Sequence, residues 1–200
     1  DWPDLPDDPA ATLRRINLDD LSAQSVRDWK VGETLLLSGR LYTGRDAAHR
    51  RMAEMIAKGE PLPVDLRDKA IYYVGPVDAV RDEVIGPAGP TTSTRMDRYL
   101  STVLPATGLR VMIGKAERGP AAIETIRDAG AVYLIAVGGA AYLVAQSIRS
   151  ARVVAWPDLG MEAIHEFEVR DMPVMVAVDT TGASVHSTGP ALWRGKFRLP

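Results

Sequence analysis

Hydrophobic positions change their spacing along the chain, and each change marks an element. The largely apolar run Thr34 to Tyr42 predicts a strand after the turn Val31-Gly32-Glu33. Met52, Met55 and Ile56 then recur at three- and four-residue spacing, which predicts a helix over Ala47 to Lys58. Asp46 is its expected cap and Gly59 its stop. Ala70 to Val74 reads as a strand ended by Gly75-Pro76, and a helix is predicted from Thr91 to Leu104 after the loop Gly86 to Pro90. Strand Val111 to Ile113, helix Ala121 to Ala129, strand Val132 to Val137 and helix Ala140 to Ile148 alternate after it. Strands at His165 to Val169 and Val174 to Val178 precede a turn at Asp179 to Gly182. Near the start, Ile16 to Leu18 is expected as a short strand and Asp19 to Arg27 as a short helix.

Strands interleaved with helices predict an α/β fold, and the extra strands at either end make the sheet mixed rather than parallel. Residues 1–14, rich in Pro and Asp, read as a linker or N-terminal arm, residues 15–185 as one domain and residues 186–200 as a C-terminal tail. The missing initiator Met fits a processed or excised piece, and a separate subunit and a domain of one polypeptide both stay open.

Composition narrows the chemistry. A hydrophobic content of 46% with 25% charged residues is that of a soluble globular protein. A formal charge of −2 argues against a nucleic-acid partner, which needs clustered Lys and Arg. No apolar run reaches the roughly 18 residues of a membrane span. The opening Asp1-Trp2-Pro3-Asp4 carries no secretory pattern, so a cytoplasmic location is expected. There is no cysteine, and the three histidines (His49, His165, His186) are widely spaced. No metal site is therefore expected from this chain alone, and no thiolate-ligated iron–sulfur centre can be built from it.

Three loops at element junctions could each meet an anion. Gly44-Arg45-Asp46 joins a strand to a helix, where free N–H groups and a guanidinium would face a carboxylate. The run Thr91-Thr92-Ser93-Thr94 leads to Arg95, and a helix starting near Pro90 would place Thr91 and Arg95 on one face. Lys115 follows a strand, where ligands bind in open α/β sheets. Gly138-Gly139 forms a further strand-to-helix turn. Each segment alone also fits a bland reading: a capped helix, a threonine N-cap, a surface lysine, a tight turn. His49, one turn past Arg45, fits a site residue or a packed helix residue. Together, Arg45, Arg95 and Lys115 form a charge set suited to a small di- or polycarboxylate.

At this point the residues carry a resemblance. Gly44 to His49, Ile71 to Pro76, Gly89 to Asp97, Gly114-Lys115, Gly138 to Ala141 and Leu159 to Ile164 resemble, in order and spacing, the motifs of class I fumarases and tartrate dehydratase β subunits. The resemblance spans about Val31 to Gly182. It implies a swivelling β/β/α domain of the class I fumarase C-terminal type. It also implies a cluster-bearing N-terminal domain or α subunit as partner, in which three Cys hold a [4Fe–4S] cluster with one open iron acting as Lewis acid. Thr91 would stand at the reacting carbon and take part in proton transfer with an Asp of the other domain, as the catalytic residue of this chain. Arg45, Arg95 and Lys115 would bind the substrate carboxylates or hydroxyl, with Asp46, His49, Thr92, Gly138 and Gly139 lining the site. An active site between domains implies a homo-oligomer. The activity implied is reversible hydration of fumarate to L-malate, which this chain would not perform without its partner. Ser93-Thr94 departs from many single-chain fumarases, which keeps a tartrate or other hydroxy-dicarboxylate dehydratase open. A binding module that has kept the fold without catalysis is the alternative of another class.

Overall fold

The computed structural model describes residues 13–80, 83–136 and 141–193. Seven strands form one mixed sheet: β1 (Arg14–Asn17), β2 (Thr34–Thr43), β3 (Ala70–Tyr72), β4 (Val111–Gly114), β5 (Val132–Ala136), β6 (Ile148–Ala155) and β7 (Ile164–Val178). β1 to β5 run parallel in that order. β7 is antiparallel to three strands: it lies along β2 from Glu166 to Met175, along β6 at its start and along β5 at its end. The sheet therefore closes on itself through β7.

Closure gives every central strand an inside and an outside, and the side chains sort with period two. Leu35, Leu37, Leu41, Tyr72, Val111, Ile113, Val132, Leu134, Phe167, Val174 and Val176 form one buried cluster inside. Ile71, Tyr73, Met112 and Tyr133 point out, against α1 (Asp46–Ala57), α2 (Asp97–Thr107) and α3 (Pro120–Asp128). α2 lies between the other two helices. α4 (Ala141–Ser147) leads directly into β6, and α5 (Val185–Trp193) follows β7. The α/β class and the mixed sheet are as the sequence indicates.

Several expected boundaries move. Asp19–Arg27 is not a helix: a 3-10 turn at Leu18–Asp20 is followed by turns. Ser22 and Ser25 accept each other's backbone N–H at 2.9 and 3.1 Å, taking donors that a helix would have used. The helix expected from Thr91 begins at Asp97, preceded by a 3-10 turn at Ser93–Met96. The two late strands are one, because the ladder to β2 continues through Met172 and Pro173 although Asp171 sits at φ 51°. β6 was not foreseen; among the described residues it pairs only with β7, and it exposes Arg149 and Arg152, so its apolar pattern is faint. A 3-10 stretch at Pro157–Glu162 is also new. Val137, the Gly138-Gly139 turn, Ala140, most of the N-terminal arm and the end of the tail lie outside the described residues.

Because Leu134 is fully buried inside the closed sheet, Leu134→Ala should cost about 2–5 kcal/mol of unfolding free energy. Urea denaturation checks this; a loss below about 1 kcal/mol would contradict the interior placement.

Candidate functional site

The parallel strands β2, β3 and β4 end at the same side of the sheet, and the three candidate loops leave from those ends. Backbone hydrogen bonds stitch them together. The Thr91 N–H donates to the Tyr73 carbonyl at 2.7 Å, the Lys115 N–H to Thr91 at 3.3 Å, and the Ser93 N–H to Lys115 at 3.0 Å. The segment leading into the 3-10 turn thus runs beside the end of β4, joined to it by a single β-bridge between Thr92 and Lys115. Thr91 and Arg95 do not share a helix face, as the sequence suggests they would. The residue before α2 is Met96; Thr92 stands at the N-cap position of the 3-10 turn, but its side chain makes no capping hydrogen bond. This segment lies so close over β4 that a Cβ on Gly114 would strike the Ser93 hydroxyl.

Arg45 enters from the end of β2. Its guanidinium lies across Gly75, where an added Cβ would meet Nη1 at 2.6 Å, so the glycine is what admits the side chain. Asp46 does not cap α1. It faces Arg95, with Oδ2 3.0 Å from Nε, an ion contact not aligned as a hydrogen bond, and Arg98 at 3.9 Å. The cap comes from a distant residue: the Glu162 carboxylate accepts the Ala47 N–H at 2.7 Å and holds Arg45 at 3.6 Å. A carboxylate at a helix start satisfies a free donor and the positive dipole end together. Asp46, Thr94, Arg95 and Arg98 line an open pocket of about 360 Å³. Lys115 is exposed beside Thr91 and Thr92.

His49 is buried beneath this surface. Its Nδ1–H donates to the Arg45 carbonyl at 2.9 Å, Nε2 has no partner, and the ring meets Tyr73 edge-on at 5.2 Å. Burial holds its pKa down at about 4. Ser93 is also fully buried, with Thr94 exposed next to it. Of the two residues at which the sequence departs from the single-chain pattern, only Thr94 reaches the pocket.

Four contributors were not singled out from the sequence, one of them Arg98, which follows the Gly89 to Asp97 motif and reaches Asp46. Glu162 lay inside a motif and gave no chemical signal of its own, since its partners are far away in the chain. Arg118 has a fully buried side chain, 2.7 Å from Asp97 and stacked over Tyr73 and Tyr133. Nothing local distinguishes it from a surface arginine. Tyr133 read as one more core residue of its strand. Across the site, Arg45, Arg95, Arg98 and Lys115 stand against Asp46 and Glu162, so four cationic and two anionic groups leave a net charge of +2. That charge suits a dicarboxylate dianion. Among the described residues no three His, Asp or Glu are grouped to hold a metal ion.

Two outcomes follow. Glu162→Ala removes the α1 cap and should lower stability by about 1 kcal/mol in chemical denaturation; an unchanged midpoint would contradict the cap. His49 should make stability fall with acid. Above about pH 6.5 it is neutral in both states. Between there and about 4 the unfolded chain binds a proton that the folded chain refuses, a loss of up to about 3 kcal/mol. Urea titrations at pH 7 and 4.5 should show a smaller loss for His49→Gln, and equal losses would refute the assignment.

A family model described as Fumarase C-terminus matches residues 1–189. The chain is 34% identical over 190 residues to fumarate hydratase 2 of Leishmania major, covering 92% of this chain and 34% of that one. It is 38% identical over 158 residues to the aerobic class I fumarate hydratase of Escherichia coli K12, covering 78% of this chain and 29% of the enzyme. The putative L(+)-tartrate dehydratase subunit beta of Methanocaldococcus jannaschii is 39% identical over 171 residues, or 83% of this chain and 88% of the subunit. The chain spans about a third of the length of the fumarate hydratases it matches. With a family match over most of its length and relatives of both kinds above 30% identity, the chain belongs to the fumarase C-terminus family.

Proposed function

We propose that this chain is the substrate-clamping C-terminal domain or β subunit of a hydro-lyase, adding water reversibly to fumarate to give L-malate, on a swivelling β/β/α scaffold. The observation that carries the reading is the convergence of Arg45, Thr91, Arg95 and Lys115 at the ends of three parallel strands, where Arg98, Asp46 and Glu162 bring the net charge to +2. Family membership supports the reaction class.

Arg45 and Arg95 grip the two carboxylates, each guanidinium offering two parallel donors. Lys115 adds a mobile point charge for a carboxylate or the hydroxyl oxygen. The Thr91 hydroxyl stands at the reacting carbon and takes up or returns the proton there. Its own pKa is far too high for it to serve as a base unaided, so it passes that proton on to an acid/base group of the partner. In hydration the hydroxyl joins one olefinic carbon and this proton the other; dehydration reverses both. Asp46, Thr92 and Thr94 surround the substrate, and His49 supports Arg45 from below through the backbone. The chain's own donors do not fit an iron–sulfur cluster, because it has no cysteine to ligate one. A [4Fe–4S] cluster serving this reaction is held by a partner domain or subunit.

A second reading, dehydration of L(+)-tartrate, is favoured by the match over 88% of a tartrate dehydratase β subunit's length. The full enzyme, combined with its cluster-bearing part, should turn over malate; turnover of tartrate alone would select the second reading. In the same enzyme Thr91→Ala should lower kcat by about a hundredfold, with a much smaller change in KM. An unchanged kcat would remove Thr91 from the reaction.

A further inference from the structure

The candidate loops rest on a buried polar layer that substrate binding and proton transfer do not use directly. Tyr133, on β5, is fully buried, and its hydroxyl meets both loops. Tyr133 Oη donates to the Ala116 carbonyl at 2.8 Å. A carbonyl only accepts, so the phenol's single proton is committed there, and the Ser93 hydroxyl, also 2.8 Å away, must donate to Oη. Ala116 directly follows Lys115, and Ser93 stands midway between Thr91 and Arg95. Ala116 sits at φ 63°, a left-handed conformation that a residue with a Cβ resists, so the loop needs an external hold. The ring in turn cannot shift. Arg118 stacks 5.0 Å from its centroid and 5.3 Å from that of Tyr73, donates to the Tyr73 hydroxyl at 3.2 Å and contacts Asp97 at 2.7 Å. Asp97 closes the layer by accepting the Gly119 N–H at 2.8 Å, which ties the start of α2 to the start of α3.

We propose that Tyr133 is a positioning residue whose hydroxyl sets the spacing between the Lys115 loop and the Thr91–Arg95 segment. The functional half of this inference rests on the hydro-lyase reading of the site; the structural half does not. Tyr133 is too deep to touch substrate and acts only through Ala116 and Ser93. Its ring fills the space between β5 and the helices, while its oxygen adds a side-chain link to the backbone hydrogen bonds that join the loops.

Tyr133→Phe keeps the ring and removes the oxygen, and Ser93→Ala removes one of its two partners. In the full protein, Tyr133→Phe should speed amide exchange at Ser93 and Lys115 by about tenfold while Met112 and Ile113 keep their protection. In the active enzyme kcat/KM should fall about tenfold, less for Ser93→Ala, and the double variant should be no worse than Tyr133→Phe alone. Unchanged exchange at Ser93 and Lys115 would overturn the proposal. So would exchange raised equally throughout β3 to β5, which marks loss of packing alone, or losses that add in the double variant. If Tyr133→Phe does not fold, Ser93→Ala must still loosen Lys115, or the proposal fails. Loosened amides with unchanged kcat/KM would uphold the positioning role and instead remove these loops from the active site.

Discussion

β7 lies along β2 for most of its fifteen residues and then along β5, and that one antiparallel strand turns an open parallel sheet into a closed one. With the interior sealed by Leu35, Leu134, Phe167 and Val176, the apolar face of β3 to β5 is left outside, and α1 to α3 cover it. Closure also leaves the ends of β2, β3 and β4 as neighbours on one rim. A ligand site between their loops follows from the topology, since backbone at strand ends is free of the ladder and can turn toward a solute. β6, which among the described residues pairs only with β7, ends on the same side as β2, and the 3-10 stretch after it brings Glu162 to this rim.

On the rim the order of construction is backbone first, side chains second. The Thr91–Ser93 segment takes its place from hydrogen bonds to Tyr73 and Lys115, and Gly114 takes its identity from the segment lying over it. Gly75 gives way to Arg45 in the same fashion. Gly114 is required by the close approach of one loop to another, whereas at Gly75 a Cβ would displace the Arg45 guanidinium. Below them the polar side chains are joined in a continuous set: Ser93 to Tyr133, Tyr133 beneath Arg118, Arg118 to Tyr73 and Asp97. Burial of a guanidinium is costly unless charge and aromatic faces offset it. Here burial would lower the Arg118 pKa, and Tyr73, Asp97 and Tyr133 more than offset that effect. A cation fixed so deeply resists rearrangement, and the loops above inherit that rigidity.

The sequence made the α/β class, the parallel core and the three loop positions readable because each has a local cause: an apolar run, a helical stripe, a glycine at a junction. It misplaced what depends on distant partners. Thr91 to Ser93 look like the start of a helix, and the carbonyls of Tyr73 and Lys115 draw them alongside β4 instead. Asp46 has the form of a cap, yet Glu162, far along the chain, takes that role and frees Asp46 for Arg95. Arg170 to Pro173 look like a break between strands, but the ladder to β2 carries β7 through them. Ser93 looked like a determinant of substrate because it stands beside Thr94; burial gives it to Tyr133 instead. In each case the signal is a hydrogen-bond partner, which no window of sequence contains.

The pairing of the clamps before any substrate arrives bears on how the site would work. Arg45 leans on Glu162 and Arg95 on Asp46, at 3.6 and 3.0 Å, neither as an aligned hydrogen bond. A fully engaged guanidinium would have to break a bond to accept a substrate carboxylate and would lose most of the gain. A free one would be mobile and would lose entropy on binding. A loose contact with a fixed carboxylate avoids both costs: the arginine is held in place and its donors stay available. Preorganised charge of this kind favours a transition state because no reorganisation is required as charge develops. The two carboxylates also reduce the rim from four positive charges to a net two, matching a dianion rather than a more highly charged one. On the proposed reading, selection of a dicarboxylate would come from Asp46 and Glu162 as much as from the arginines they hold.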